Sequence, residues 1–170
     1  KVILFVGDGM GLAQCEAARL AAYGPAGRLA MDQLDQLSLM TTYAANALTT
    51  DSAAGATAWS TGHKTNNKFL AVGPDSASLR TILEYARDAG YGTGLVTTTT
   101  LTHATPAAFA AHVSDRGAEA QIAEQMLATR PQVMLGGGRA FWIPRSQVGS
   151  QRQDERDLLA EARAAGYEVV

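Results

Sequence analysis

Arg87-Asp88-Ala89-Gly90-Tyr91, running into Gly94-Leu95-Val96-Thr97, is the stretch that decides the fold of this chain. Leu79, Ile82, Leu83 and Ala86 precede it at helical spacing, so an apolar face arrives, a glycine ends the helix and a strand begins. The pattern recurs near the end. Leu158, Leu159 and Ala162 form another apolar face, and Arg163-Ala164-Ala165-Gly166-Tyr167 leads into Glu168-Val169-Val170. A third unit runs from a helix over 118–129 through Pro131 to a strand at Val133-Met134-Leu135. Alternation at this spacing predicts the α/β class, with a mostly parallel sheet flanked by helices on both faces, an α/β/α sandwich. The periods differ, so these are echoes of one supersecondary unit rather than a solenoid repeat.

Upstream, residues 2–6 are a continuous apolar run of the kind found in a buried parallel strand. Residues 11–23 follow as a helix, with Leu12, Cys15, Ala18 or Arg19, and Ala22 on one side and Gly24 as the stop. Residues 37–43 read as a second strand, residues 52–59 open an alanine-rich helix followed by Gly62, and 142–156 read as an exposed polar loop. Lys1 leads directly into a core-type strand with no signal peptide, so the N-terminus reads as processed or trimmed. Residues 168–170 read as the opening of a strand, so the fold is expected to be incomplete at the C-terminus and the chain part of a longer one.

Composition narrows the function classes. The chain has 170 residues, 46% hydrophobic and 18% charged, enough for one globular domain with a core. A net charge of −2 gives no electrostatic case for nucleic acid or an anionic membrane surface. No apolar run approaches the ~18 residues of a membrane span. Cys15, the single cysteine, excludes an intrachain disulfide and a zinc site built on several thiolates; on its apolar stretch it reads as a small buried residue.

Five segments can carry chemistry. Gly7-Asp8-Gly9-Met10-Gly11 stands at a strand end, but Leu12 takes the place of the third glycine of a dinucleotide fingerprint and no Gly-Lys-Ser/Thr follows. Asp8 puts a negative charge where those motifs hold phosphate, so it reads either as a ligand for a hard cation or as the cap of a tight turn. In Thr50-Asp51-Ser52-Ala53-Ala54, Ser52 opens a helix whose amides favour an anion; Asp51 or Ser52 can simply cap it, or Ser52 can be a nucleophile. The Gly-x-Ser-x-Gly elbow of acyl hydrolases is absent, since Thr50 and Ala54 occupy its glycine positions. His63, His103 and His112 are the only histidine bases on offer, and a carboxylate beside Ser52 calls instead for a cation and an arginine.

His103-Ala104-Thr105-Pro106 follows the next strand, with Thr105 as a helix cap or an oxygen ligand for magnesium. His112 lies on the following alanine-rich helix and reads as a packed, hydrogen-bonded histidine. Arg116 reads as a solvated surface group or a phosphate fork. Gly136-Gly137-Gly138 reads as a flexible turn or an anion cradle.

Taken in this order, Val6-Gly7-Asp8-Gly9-Met10-Gly11, Thr50-Asp51-Ser52-Ala53-Ala54, His103-Ala104-Thr105-Pro106-Ala107, His112-Val113-Ser114-Asp115-Arg116 and Leu135-Gly136-Gly137-Gly138 resemble the alkaline phosphatase family over nearly the whole chain. The resemblance implies that residues 1–170 are the N-terminal portion of a single catalytic domain that hydrolyses phosphate monoesters at two zinc ions and one magnesium. It implies that Asp8 bridges the second zinc and the magnesium, that Ser52 is the nucleophile and is transiently phosphorylated, and that Thr105 ligates magnesium. Arg116 would hold two phosphate oxygens, Asp51 would orient Arg116, and His103 would stand just outside the magnesium's ligands, where some family members carry Asp.

Small-molecule phosphate esters as partners, a homodimer, and a periplasmic or extracellular location are further family expectations. The family's other ligands would lie after Val170, and its Asp-x-x-x-His zinc pattern occurs nowhere in this chain. Residues 1–170 alone are therefore expected to hold no intact bimetal site and to be inactive. Two other readings compete: a metal-dependent relative acting on phosphodiesters or sulfates, and a non-catalytic nucleotide-binding α/β module using residues 7–11. A metal-free serine acyl hydrolase comes last.

Overall fold

Residues 1–170 are described by a computed structural model and divide into two units, residues 1–41 and 42–170. In the first unit the Gly7 carbonyl accepts the Met10 amide at 3.2 Å, closing a turn in which Gly9 takes φ 70°. That conformation suits glycine because no Cβ is present to clash. Helix α1 (Leu12–Tyr23) follows, entered at Gly11 without a side-chain cap and left at Gly24, φ 72°. Arg19 forks onto Asp32 at 2.9 and 3.1 Å, tying α1 to a 3-10 turn at Ala30–Gln33. Cys15 is half-buried, not buried as read from its apolar neighbours.

Residues 2–6 and 37–43 correct the strand expectations: neither segment is a strand. Val2, Phe5, Leu37 and Leu39 are 84–92% exposed. Hydrophobicity favours a buried strand, but a strand exists only where a neighbour takes its amides and carbonyls. The sheet consists of two other strands, and these segments are in neither.

The second unit carries α2 (Ser52–Thr61), α3 (Ile82–Asp88), β1 (Gly94–Thr100), α4 (Ala104–Ala107), α5 (Glu119–Thr129), β2 (Val133–Gly137) and α6 (Leu158–Ala164). Strands β1 and β2 are parallel, with Gly94 opposite Val133, Leu95 opposite Met134 and Val96 opposite Leu135. The crossover between them holds α4 and α5, the β-α-β arrangement expected of the α/β class. Leu95 packs into the core with Met134 against it, while Val96 and Leu135 on the alternate positions are exposed. Gly136 and Gly137 belong to β2 rather than to a turn, and a Cβ at Gly136 would sit 2.6 Å from Thr97 Cγ2. Residues 168–170 are not a strand, although Val169 packs against the core.

Alanine dominates the buried faces of α2 and α4, through Ala53, Ala56, Ala104 and Ala107, and these two helices pack together. Small side chains let helix axes approach closely. The chain then runs buried and non-helical through Ala108, Ala110 and Ala111, where unpaired carbonyls would be costly. Side chains from three directions satisfy them. Ser60 Oγ donates to the Ala108 carbonyl at 2.6 Å, Thr81 Oγ1 to Phe109 at 2.7 Å and Thr129 Oγ1 to Ala110 at 2.9 Å. The Gln125 amide takes the His112 N–H at 2.6 Å, and Val113 pairs with Leu70 in both directions. This stitched segment delivers Arg116 to a defined place.

His112 therefore lies beyond α4, not on it. It is nonetheless packed and bonded as read, with Nδ1 2.9 Å from the Ala71 carbonyl and Nε2 3.1 Å from Glu84 Oε1. The 142–156 segment is irregular but not simply an exposed loop. Trp142 and Ile143 are buried, and the Arg152 side chain is wholly buried. Arg152 forks onto Asp154 at 2.8 and 2.6 Å, reaches Glu124 at 2.6 Å and donates to the Ala120 and Phe141 carbonyls at 3.2 Å. Burying a guanidinium is tolerable only with such a full set of acceptors.

Candidate active site around Ser52

Ser52 is the first residue of α2, and the residue before it is the cap. Asp51 is extended (φ −97°, ψ 177°), and its Oδ1 accepts the Ala54 amide at 2.9 Å. Of the two cap readings, Asp51 is the one realised. Its other oxygen, Oδ2, accepts from the Lys68 amide at 3.1 Å and from Arg116 Nη1 at 3.2 Å. One carboxylate thus ends a helix and orients a guanidinium sixty-five residues away. Both side chains are about a quarter exposed (Arg116 27%, Asp51 26%), so the pair is reachable by a small anion.

His103 meets the other arm of the guanidinium, its Nε2 3.1 Å from Arg116 Nη2. A guanidinium can only donate, so Nε2 accepts and the ring proton is assigned to Nδ1, which is buried without a hydrogen-bond partner. Arg116 is therefore gripped on both arms and directed. With Ser52 and the N-terminal amides of α2 beside its Asp51 anchor, the arrangement offers positive potential to a phosphate-sized anion.

His103 is also the residue before α4, extended at φ −60° and ψ 150°, so Thr105 is inside the helix and is not its cap. Thr105 is half-buried on the helix that packs against α2. Asp8 belongs to the first unit, in the Gly7–Met10 turn. Nowhere do three or more His, Cys, Asp or Glu side chains converge as a metal-binding group.

Two residues of this site went unread in the sequence. Asn67 Oδ1 accepts the Asp51 amide at 2.9 Å while its Nδ2 donates to the Thr49 carbonyl at 2.9 Å. Lys68 takes φ 74°, a left-handed conformation rare outside glycine, and its carbonyl accepts the Arg116 amide at 2.8 Å. Asn66-Asn67 carries a turn signal in the sequence, but no pattern in it points to residue 51.

Comparison with known proteins gives this geometry its context. A family model described as Alkaline phosphatase matches residues 1–170. Streptomycin-6-phosphate phosphatase of Streptomyces griseus is 46% identical over all of this chain and 43% of its own length. Alkaline phosphatase of Escherichia coli (strain K12) is 39% identical over all of this chain and 41% of its own. Among solved structures, alkaline phosphatase from the Antarctic bacterium TAB5 superposes with a TM-score of 0.84 at 34% identity, over 96% of this chain and 45% of that one. The cold-active enzyme from Shewanella sp. gives 0.85 at 36%, over 97% and 40%. The chain thus spans less than half the length of these relatives. No helix is long and apolar enough to cross a membrane. By family model, by identity and by fold, this chain belongs to the alkaline phosphatase family.

Proposed function

We propose that the protein to which these residues belong hydrolyses phosphate monoesters through a phosphoserine formed on Ser52. The observation that carries the proposal is the Asp51 carboxylate, which starts the Ser52 helix with one oxygen and holds Arg116 with the other. In this reading Arg116 grips two equatorial phosphate oxygens while Ser52 Oγ bonds to phosphorus and the ester bond to the alcohol breaks. Water then takes the phosphoryl group from Ser52, so the configuration at phosphorus is retained. Asp51 keeps the guanidinium flat against the anion, and His103 limits its swing from the other side.

Two zinc ions and one magnesium complete the reading. Carboxylate and hydroxyl oxygens suit such cations, so Asp8, Thr105 and Ser52 fit as part of the ligand set, with the rest expected outside residues 1–170. When bound, the metals would supply the positive charge that makes a serine alkoxide accessible and stabilises the leaving alkoxide. A variant of the TAB5 enzyme has been solved with magnesium in its M3 site, which supports metal dependence here. Small phosphate esters as substrates, a homodimer, and a periplasmic or extracellular location belong to the same proposal on the strength of the family. Residues 1–170 taken alone are proposed to be inactive.

The test is a comparison of the full-length protein with Ser52→Ala on a phosphate monoester, a phosphodiester and a sulfate ester, with and without a chelator. The reading expects monoester turnover that both the substitution and the chelator abolish. Turnover that survives Ser52→Ala, or that favours the diester or sulfate, overturns it. Zinc stoichiometry and turnover of residues 1–170 test the inactivity of this portion, and two tightly held zincs with normal turnover refute it.

A further inference from the structure

We infer that Asn67 is a positioning residue for the phosphate grip: together with the Lys68 backbone it braces Asp51 against Arg116. The inference rests on the function proposed above for its consequence, and on hydrogen bonds alone for its geometry. Asn67 spans the two bonds around residue 50, accepting from the Asp51 amide and donating to the Thr49 carbonyl, each at 2.9 Å. Its own amide is held by Asn46 Oδ1 at 2.9 Å, so the side chain starts from a fixed backbone. The next residue completes the brace. The Lys68 amide donates to Asp51 Oδ2 at 3.1 Å, and its carbonyl accepts the Arg116 amide at 2.8 Å.

The left-handed φ of 74° at Lys68 is what aims its two backbone groups this way. A non-glycine residue held there is strained, and such strain persists where the surroundings over-determine it. The Asp51 side chain alone can rotate about χ1 and χ2. With its backbone amide locked by Asn67 and one oxygen locked by Lys68, the carboxylate has a single position from which to meet Arg116. Arg116 is fixed at both ends, by its amide on Lys68 and its guanidinium on Asp51. Asn67 reaches the backbone on either side of residue 50, so its role is to place the Asp51 carboxylate that holds the guanidinium.

The experiment uses the full-length protein with Asn67→Ala and Asn67→Asp, the second keeping an acceptor for the Asp51 amide while losing the donor to Thr49. Inhibition by inorganic phosphate, kcat and KM are read beside circular dichroism and amide hydrogen exchange. The brace expects Asn67→Ala to weaken phosphate inhibition about tenfold, the loss of roughly one hydrogen bond's effect, with Asn67→Asp between it and wild type. It also expects faster exchange at Asp51 and, across the brace, at Arg116, with no change at Ile122 or Met126 in α5. If Asn67→Ala fails to fold, Asn67→Asp carries the same comparison. Faster exchange at Asp51 alone, with phosphate inhibition within twofold of wild type, overturns the inference. A wild-type protein without phosphatase activity sinks the proposed function instead, and the exchange at Arg116 still decides the brace.

Discussion

Asp51 does two jobs with two oxygens, and single substitutions can separate them. Asp51→Ala removes the α2 cap and is expected to cost about 1 kcal/mol in urea unfolding, and it frees Arg116. Asp51→Asn keeps an acceptor for the Ala54 amide but removes the charge, so most of that stability should return while phosphate affinity stays impaired. Equal stability loss in the two variants would show that charge, not capping, holds the turn. This dual role is half legible in sequence. A Thr-Asp-Ser triplet before alanines announces a cap, but the partner of the second oxygen lies sixty-five positions on, where local pattern carries no signal.

At the scale of elements, α3 shows how local chemistry and distant packing share the same atoms. Thr81 and Glu84 form a capping box, readable as Thr-x-x-Glu, yet Thr81 Oγ1 also donates to the carbonyl of the half-buried Phe109 at 2.7 Å. Thr81→Ala should therefore cost more than an ordinary cap, about 2 kcal/mol by chemical denaturation, because it removes the partner of a part-buried carbonyl as well. Burial by itself pushes the Glu84 carboxyl up, but the Thr81 amide and His112 outweigh it and hold the carboxyl below its ordinary value. A depressed carboxylate stabilises the fold above its unfolded pKa and loses that contribution as pH falls through the lower native value. Stability followed from pH 6 down to pH 3 should thus fall less steeply in Glu84→Gln than in wild type. The helix and glycine-stop pattern was right for α3 and α6, which run out at Gly90 and Gly166, and the helix read over 118–129 is α5, ended instead by a left-handed Arg130; all three are closed by local bonds. Local pattern failed for residues 2–6 and 37–43 because strands are not.

In the second unit, stability depends on a residue with no hydrophobic signature. Arg152 links the segment after β2 to α5 through Glu124 and the Ala120 carbonyl, and its side chain is wholly buried. Arg152→Ala should destabilise by about 3 kcal/mol, since it removes every one of these bonds and leaves acceptors in a cavity. Arg152→Lys should recover only part, because an ammonium cannot fork onto Asp154 while reaching Glu124. Urea midpoints of the two variants check both statements.

The order of the motifs, the α/β class, the helix stops and the Asp-Ser-Ala start of α2 follow from the sequence itself, because capping, periodicity and glycine stops are short-range physics. The pairing of Asp51 with Arg116 was expected from the family resemblance and not from any local pattern. The tertiary structure alone decided that one Asp51 oxygen caps α2 while the other meets Arg116, that His103 rather than Thr105 precedes α4, that Arg152 is buried, and that Asn67 and a left-handed Lys68 stand behind the pair. Those facts depend on which distant backbone groups need partners once the chain has folded. Hydrogen-bond demand in a buried interior is a property of the whole arrangement, not of any local stretch of residues.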